Sequence, residues 1–518
     1  MTTDQIVSLG PELAAFLAGY ADCFRRIEPR RKLETYVRGQ LSELPRKSVE
    51  PIALAAGTKP RTLQEFLASD DWDEDRLAAR LQQTVAREHA DEQAIGVIDE
   101  SGHPKKGRET AGVTRQYCGN TGKIDNCVTT VHLTYTSFDG KFRTMLDSEL
   151  YLPKCWHEDR ARCRAARIPE DVVYRPKYDI ALSQVDRAIA CGLSFAWITA
   201  DEWYAQKPRF VRSLEQRGLR FVLEIPRNFA VWLHDPAGGP AAPAKPAENL
   251  CRYSRTMMRQ PWQRYYIKDT EKGPMVWEVK SAPCWLPRDD GVVGPYWLVM
   301  ARNVLDPNEV KYFVSNAAPG VPLPAILHVA FGRWPVERCL EDEKSELGLS
   351  HFEVRCYPAL KRHLLITQVS HLFLARQTER LRGEKSGDHV AASPRGHQRS
   401  DRRDRPARRG ALRPAGPRRV RTTPLAAPQR PSPPKSYQNP PCGTCKTSHR
   451  PHPTTATPPW IMIQGMAIHL TPPATISCAF SRSRSCRRPC HDRWWGKFGR
   501  LVGAGDRTAS PGNVKCVG

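Results

Sequence analysis

The stretch AIGVIDE, residues 94–100, decides the fold class of this chain. It is a short run of β-branched and apolar residues that ends in acids, which is typical of a buried strand. A second such run, LSFAWITAD, spans residues 193–201 and follows a stretch of helical periodicity over residues 178–191. This alternation predicts an α/β fold with a mixed sheet, in which two strands deliver Asp99 and Asp201 to their carboxyl ends. An aspartate in such a place also commonly caps a helix, so each one alone fits either role.

Composition divides the chain into five segments around this pattern. The first has helical periodicity and is a candidate for binding DNA ends, the second begins the sheet, the third is a β-rich insertion, the fourth holds two helices, and the fifth is a tail. We place these segments at residues 1–90, 91–226, 227–324, 325–387 and 388–518.

The fifth segment differs in composition from the rest. Residues 388–518 contain 24 Lys and Arg against 5 Asp and Glu, and 19 of the 45 prolines. A segment of this kind buries too little apolar surface to offset its ordering entropy, so we expect a disordered Arg/Pro-rich tail. Two origins stay open: a basic tail that binds DNA nonspecifically, or out-of-frame translation of a GC-rich gene, which we favour. A zinc site is not expected, because only three residues separate the two candidate ligand pairs and a zinc finger needs about a dozen: Cys442, Cys445, His449 and His452.

Charge and cysteine usage limit the class of protein. The net charge is +24, of which the fifth segment supplies +19, so residues 1–387 carry only +5, from 55 basic and 50 acidic side chains. This excess is compatible with nucleic acid but does not demand it. The 16 cysteines form no compact disulfide framework, and no apolar run approaches the roughly 18 residues of a membrane span. We therefore expect reduced thiols, a cytoplasmic location and no membrane partner.

The run RWPVERCLEDEKSELGLSHFEVR, residues 333–355, predicts a helix that begins near a proline and ends at a glycine. Four residues of this helix, at three- and four-residue spacing, share one face: Trp334, Glu337, Glu341 and Lys344. Two carboxylates and an ammonium group on one stripe suit a site that holds a cation or faces phosphate. A solvated helix with salt bridges between successive turns gives the same pattern.

Three acids on separate elements indicate metal-assisted phosphodiester chemistry. Such chemistry uses two Mg²⁺ ions, roughly 4 Å apart, and carboxylate oxygens are their usual ligands. We take Asp99, Asp201 and Glu341 as the catalytic and metal-binding residues. Neighbouring basic and aromatic side chains are the candidates for contacts with DNA: Lys105, Lys106, Arg115, Trp203 and Lys344.

Four blocks of the sequence, in this order, resemble the signatures of bacterial insertion-sequence DDE transposases of the DDE superfamily endonuclease type: IDESGHPKKG, TRQYCGNTGKIDNC, ITADEWYA and RWPVERCLEDEKSELGLSHFEVR. The resemblance spans residues 93–387. It implies an RNase H-like core with a β-rich insertion before the catalytic glutamate. It also implies Asp, Asp and Glu ligands for Mg²⁺ or Mn²⁺, and hydrolysis of DNA ends followed by strand transfer.

The resemblance assigns the first two acids to Asp99 and Asp201. Glu341 takes the place of the third, because the family's glutamate lies seven residues after an aromatic residue, here Trp334. Glu337 is the rival for this role. The implied partners are double-stranded DNA, as transposon ends and target, and a second copy of the chain in a homodimer on DNA, with nucleoid association. Two other functions remain open: an inactive DNA-binding remnant, and a nuclease that cuts without joining.

Overall fold

The structure is a computed structural model, and it describes residues 3–68, 72–236, 243–270, 273–289 and 291–390. Within these ranges the side chains of residues 3–7, 270, 334–338 and 383–390 are not described. From residue 391 on, the predicted tail and its Cys and His residues lie outside the described residues. None of the described helices combines the length and apolar character that a bilayer span requires.

The N-terminal region is helical, and its helices pack beside the long last helix. Its elements are α1 (Thr3–Ala18), α2 (Ile27–Gln40), α3 (Val49–Ala55), α4 (Pro60–Ala68) and α5 (Glu74–Glu88). The last part of this periodic segment forms two separate helices, α4 and α5. The second begins where the Asp73 side chain accepts a hydrogen bond from the backbone N–H of Arg76. The buried hydroxyl of Tyr36 contacts His363 Nδ1 at 2.9 Å and so ties α2 to the last helix.

One large mixed sheet organises the rest of the chain, as predicted. Its strands are β1 (Ile95–Pro104), β2 (Thr114–Cys118), β3 (Lys123–Thr136), β4 (Arg143–Leu150), β5 (Trp197–Ala200), β6 (Arg220–Ile225), β9 (Gln263–Thr270), β10 (Gly273–Arg288), β11 (Gly291–Asn303) and β12 (Val310–Ser315). A separate pair consists of β7 (Ala230–Val231) and β8 (Lys245–Pro246). The order of the large sheet is β2-β3-β1-β5-β6-β12-β11-β10-β9, and β4 pairs with β3. The β-rich insertion therefore extends the central sheet, because β12 pairs antiparallel with β6.

Helices cover both faces of this sheet. They are α6 (Lys154–His157), α7 (Arg160–Ala165), α8 (Lys177–Ala190), α9 (Glu202–Ala205), α10 (Pro208–Gln216), α11 (Ala247–Tyr253), α12 (Arg255–Arg259), α13 (Leu323–Phe331), α14 (Trp334–Ser345) and α15 (Tyr357–Val390). On one face, Ile98 packs in a core that includes α8 and α10. On the other, Ile95 and Val97 pack against α13. Because side chains alternate along a strand, Asp99 lies on the face of Val97 and α13.

The position of Asp99 within its strand corrects one prediction. β1 does not end at the acids but continues to Pro104, because β3 pairs with it along its whole length. Its parallel neighbour β5 stops at Ala200. Asp99 is therefore inside β1, two residues beyond Val97, the last residue of β1 that pairs with β5.

Candidate active site

Asp99 and Asp201 lie side by side on neighbouring strands. β1 and β5 are parallel, and Val97 is opposite Thr199 in their register. Two residues further along each strand, the same register aligns Asp99 with Asp201. Adjacent strands are about 4.8 Å apart, and residues two apart point to the same face. The fold thus brings these two predicted acids together on one face of the sheet.

Glu224 adds a third carboxylate to this row. Ala200 is opposite Leu223 in the parallel register of β5 and β6, so the next position aligns Asp201 with Glu224. The sequence shows Glu224 only as an acid inside the apolar strand run FVLEI. Its place beside Asp201 depends on the order and register of three strands, which no local pattern specifies. Glu224 was therefore missed as a candidate.

The guanidinium group of Arg333 lies between the two ends of this row. Its Nη1 atom is 3.7 Å from Asp99 Oδ2, and its Nη2 atom is 3.5 Å from Glu224 Oε2. The three side chains are only 16–20% exposed. Lys311 Nζ donates to the other oxygen of Glu224 at 3.0 Å. Two cationic side chains thus partly balance three clustered acids.

The electrostatics of the row favour a cation. Burial raises the pKa of Asp99 to about 7; the charge of Arg333 opposes this rise and that of Asp201 adds to it. Burial also raises the pKa of Asp201, against the effect of backbone N–H groups and Arg333. A partly buried carboxylate with a raised pKa is one whose negative charge is incompletely compensated. Hard oxygen donors in that condition suit Mg²⁺ or Mn²⁺.

Asp201 also has the structural role that its position suggested. It is the N-cap of the short helix α9, and its Oδ1 atom accepts from the backbone N–H groups of Trp203 at 3.0 Å and Tyr204 at 3.3 Å. Both bonds use the same oxygen. The cap therefore orients the carboxylate through Oδ1, and neither of these two hydrogen bonds involves Oδ2.

Comparison with known proteins identifies a family for part of the chain. The sequence profile of the family described as "DDE superfamily endonuclease" matches residues 19–274. Residues 19–274 therefore belong to the DDE superfamily endonuclease family. A curated relative, "Probable transposase for insertion sequence element IS701" of Microchaete diplosiphon, is 25% identical over 325 residues, which are 62% of this chain and 76% of the relative. The crystal structure of the NurA nuclease from Sulfolobus solfataricus aligns with 62% of this chain and 95% of its own, at 11% identity and a TM-score of 0.21, which is too low to argue a shared fold.

Helix α14 carries Glu337 and Glu341, the two candidates for the third acid. Glu341 is exposed on this helix, and the side chain of Glu337 lies outside the description. Lys344 Nζ donates to Asn120 Oδ1 at 2.9 Å, in the turn between β2 and β3. Burial lowers the pKa of Lys344 and the charge of Asp99 opposes that shift, so the ammonium group lies within electrostatic reach of Asp99.

The described side chains do not complete a three-ligand site. Among them, no group of three or more His, Cys, Asp or Glu residues lies in an arrangement that could hold a metal ion. The structure thus brings together Asp99 and Asp201, and it gives no such group that includes Glu341. This statement does not cover Glu337, because the side chain of Glu337 is not described.

A buried ion pair anchors the same helix. Glu343 Oε1 is 3.0 Å from His371 Nδ1, and the two side chains are 0% and 1% exposed. Glu343 belongs to α14 and His371 to α15, so the pair fixes the rotation of α14 against its neighbour. No local sequence pattern indicates this contact, because the partners are far apart along the chain.

The predicted DNA contacts of this DDE family member fall into two groups. Lys105 is turned inward: its Nζ atom donates to the carbonyl oxygen of Phe352 at 2.6 Å and lies 3.4 Å from the centroid of that ring. Lys106 and Arg115 are exposed. Trp203 is half-buried, with two lysine ammonium groups 5.4 and 4.7 Å from its ring centroid. The exposed pair is therefore better placed for phosphate contacts than Lys105.

Proposed function

We propose that this chain is a transposase that cleaves DNA at the ends of an insertion sequence and joins the freed 3′-OH to target DNA. The observation that carries the proposal is the parallel register of β1 and β5, which aligns Asp99 with Asp201 when it is extended by two residues, together with the effect of the Asp201 charge on the pKa of Asp99. Membership of the DDE superfamily endonucleases and similarity to a probable transposase support it. Double-stranded DNA is the proposed partner, with two copies of the chain acting on it in the bacterial cytoplasm and nucleoid.

Asp99 and Asp201 fit as two carboxylate ligands of a divalent-metal site. Asp99 and Asp201 would hold the ions together with an acid from α14, since all three offer hard oxygen donors. Two bound Mg²⁺ or Mn²⁺ ions supply activation of the attacking oxygen and stabilisation of the charge on the leaving oxygen. The protein's own part is to hold the acids on rigid strands, with Asp201 fixed by the N–H groups of α9. Arg333 and Lys344 are cations that orient the DNA phosphate beside these acids.

The choice between Glu337 and Glu341 turns on the rotation of α14. Arg333 and Lys344 both act electrostatically on Asp99, so their side of the helix faces the acids. At about 100° per residue, position 344 lies roughly 20° round the helix from position 333, position 337 roughly 40° and position 341 roughly 80°. Glu341 is also exposed. These positions favour Glu337 over Glu341 as the third acid.

A plasmid-nicking assay tests the proposed chemistry. The full chain is incubated with supercoiled plasmid and Mg²⁺, and four variants are compared: Asp201→Asn, Glu337→Gln, Glu341→Gln and the control Glu278→Gln. Glu278 is a matched control because it is also a sheet carboxylate held by arginines. We expect loss of nicking in Asp201→Asn and Glu337→Gln, and near-normal nicking in the other two.

The outcomes separate the alternatives. Wild-type chain that binds DNA but never nicks it is an inactive remnant. Chain that nicks yet fails to join a labelled 3′ end to a second plasmid is a nuclease that does not transpose. Nicking by Asp201→Asn at the wild-type rate would show that the acids are not the catalytic centre. Loss of nicking in Glu341→Gln alone would assign the third acid to Glu341.

A further inference from the structure

Glu224 is the acid of the row that the proposed chemistry does not use. It follows Leu223 in β6, next to Asp201, and its side chain is 20% exposed. Two cations contact it: Lys311 on Oε1 and Arg333 on Oε2. Placing a charged side chain in a half-buried strand position is unfavourable unless it is compensated, so this residue holds its place through those contacts.

Arg333 is shared between two acids. Its distances to Asp99 and Glu224, 3.7 and 3.5 Å, both exceed the usual length of a charge-assisted hydrogen bond, roughly 2.7–2.9 Å. The guanidinium group thus lies between the two carboxylates, at the edge of the space that a cation on Asp99 would occupy. A divalent ion on Asp99 and Asp201 would repel this guanidinium group.

We infer that Glu224 is a positioning residue that holds the Arg333 guanidinium away from Asp99 when a divalent cation binds to Asp99 and Asp201. The inference rests on the proposed function, because it requires the metal site. Glu224 gives the displaced guanidinium group a second negative partner, so the displacement costs little. Without the charge of Glu224, Asp99 is the acid that remains paired with Arg333, and the guanidinium group competes with the cation for it.

A double-mutant cycle on metal affinity tests this role without any catalytic readout. Terbium(III) luminescence, with Mg²⁺ as competitor, measures the affinity of the full chain without DNA for wild type, Glu224→Gln, Arg333→Gln and the double variant. Glu278→Gln serves as the matched control and Asp201→Asn as the ligand control. Thermal unfolding without metal checks that each variant is folded.

We expect Glu224→Gln to weaken metal binding about fivefold, on the scale of one partly exposed ion-pair interaction. Arg333→Gln should tighten binding, because it removes the competing cation. In the Arg333→Gln background, adding Glu224→Gln should change the affinity by less than about twofold, since the residue acts through Arg333. Glu278→Gln should leave the affinity unchanged.

Two results would overturn the inference. If Glu224→Gln weakens binding equally with and without Arg333, then Glu224 acts directly on the metal, as a ligand or through its charge. If Glu224→Gln leaves the affinity of the wild-type background unchanged, Glu224 does not position Arg333. If Asp201→Asn binds terbium and Mg²⁺ as tightly as wild type, the proposed metal site itself is wrong. That result is distinct from a failure of the inference about Glu224 alone.

Discussion

The buried pair between Glu343 and His371 gives the sharpest stability prediction. The substitution Glu343→Gln keeps the size of the side chain and removes its charge. His371 is then left without its anionic partner in a site that is 1% exposed. Since this pair fixes α14 against α15, the change should loosen the helix that carries Glu337 and Glu341.

The structure sets the magnitude and the pH dependence. Burial has the largest single effect on the pKa of His371 and lowers it, but the charge of Glu343 and side-chain hydrogen bonds with Cys339 and Glu343 together raise the pKa to about 10. A histidine whose pKa is raised by folding stabilises the protein fully below its unfolded value, about 6.5, and this contribution disappears as the pH rises through the folded value. Linkage puts it at roughly 4 kcal/mol near pH 6 and roughly 1 kcal/mol near pH 9, in line with the usual cost of breaking a buried pair.

Urea unfolding at pH 6 and pH 9 measures this contribution. Glu343→Gln should lose roughly 4 kcal/mol of unfolding free energy at pH 6 but only about 1 kcal/mol at pH 9. The control is Glu353→Gln, which breaks a surface pair with Arg46 whose side chains are 53% and 60% exposed, and which should cost less than about 1 kcal/mol at either pH. An equal loss at both pH values, or a loss no larger than the control's, would refute a charged buried pair.

Three further predictions concern the site and its surroundings. Without metal, Asp99→Asn should raise the thermal stability of the fold at pH 8 but not below pH 4. The reason is that an acid whose pKa is raised to about 7 by folding destabilises the folded state once it is ionised. Added Mg²⁺ should abolish this difference between variant and wild type in thermal melts. Lys106→Ala should weaken binding to double-stranded DNA and reduce the slope of log K against log salt by about 1, whereas Lys105→Ala should lower stability and leave that slope unchanged. Gly348→Ala should cost at least about 1 kcal/mol in urea unfolding, because Gly348 has φ +74° and an added Cβ would lie 2.7 Å from the Cβ of Lys47.

The sequence predicted the parts of the fold that depend on local pattern. The apolar run at residues 193–201 contains β5 (Trp197–Ala200), and Asp99 and Asp201 are associated with neighbouring strands, as predicted. These predictions succeeded because a buried strand is recognisable from its composition. In addition, parallel strands connected by a helix have their carboxyl ends at the same edge of the sheet.

The parts that failed depend on pairing between distant segments. β1 runs on to Pro104 because β3 pairs with it, and Glu224 joins the row because β6 lies next to β5 in register. Lys105 stays a predicted DNA contact, but no sequence pattern indicated that its ammonium group donates to the carbonyl oxygen of Phe352, which is 247 residues away along the chain. Such contacts follow from tertiary packing, which sequence periodicity does not specify.

The central claim is that Asp99 and Asp201 form one metal-dependent cutting site for DNA. The most direct measurement is end mapping on a plasmid that carries the gene with its flanking DNA, after incubation with the full chain, with and without Mg²⁺. We expect 3′-OH ends at fixed positions on both sides of the gene, formed only with Mg²⁺ and lost in Asp201→Asn while DNA binding persists. Cleavage that persists without divalent metal, or in Asp201→Asn, would contradict it.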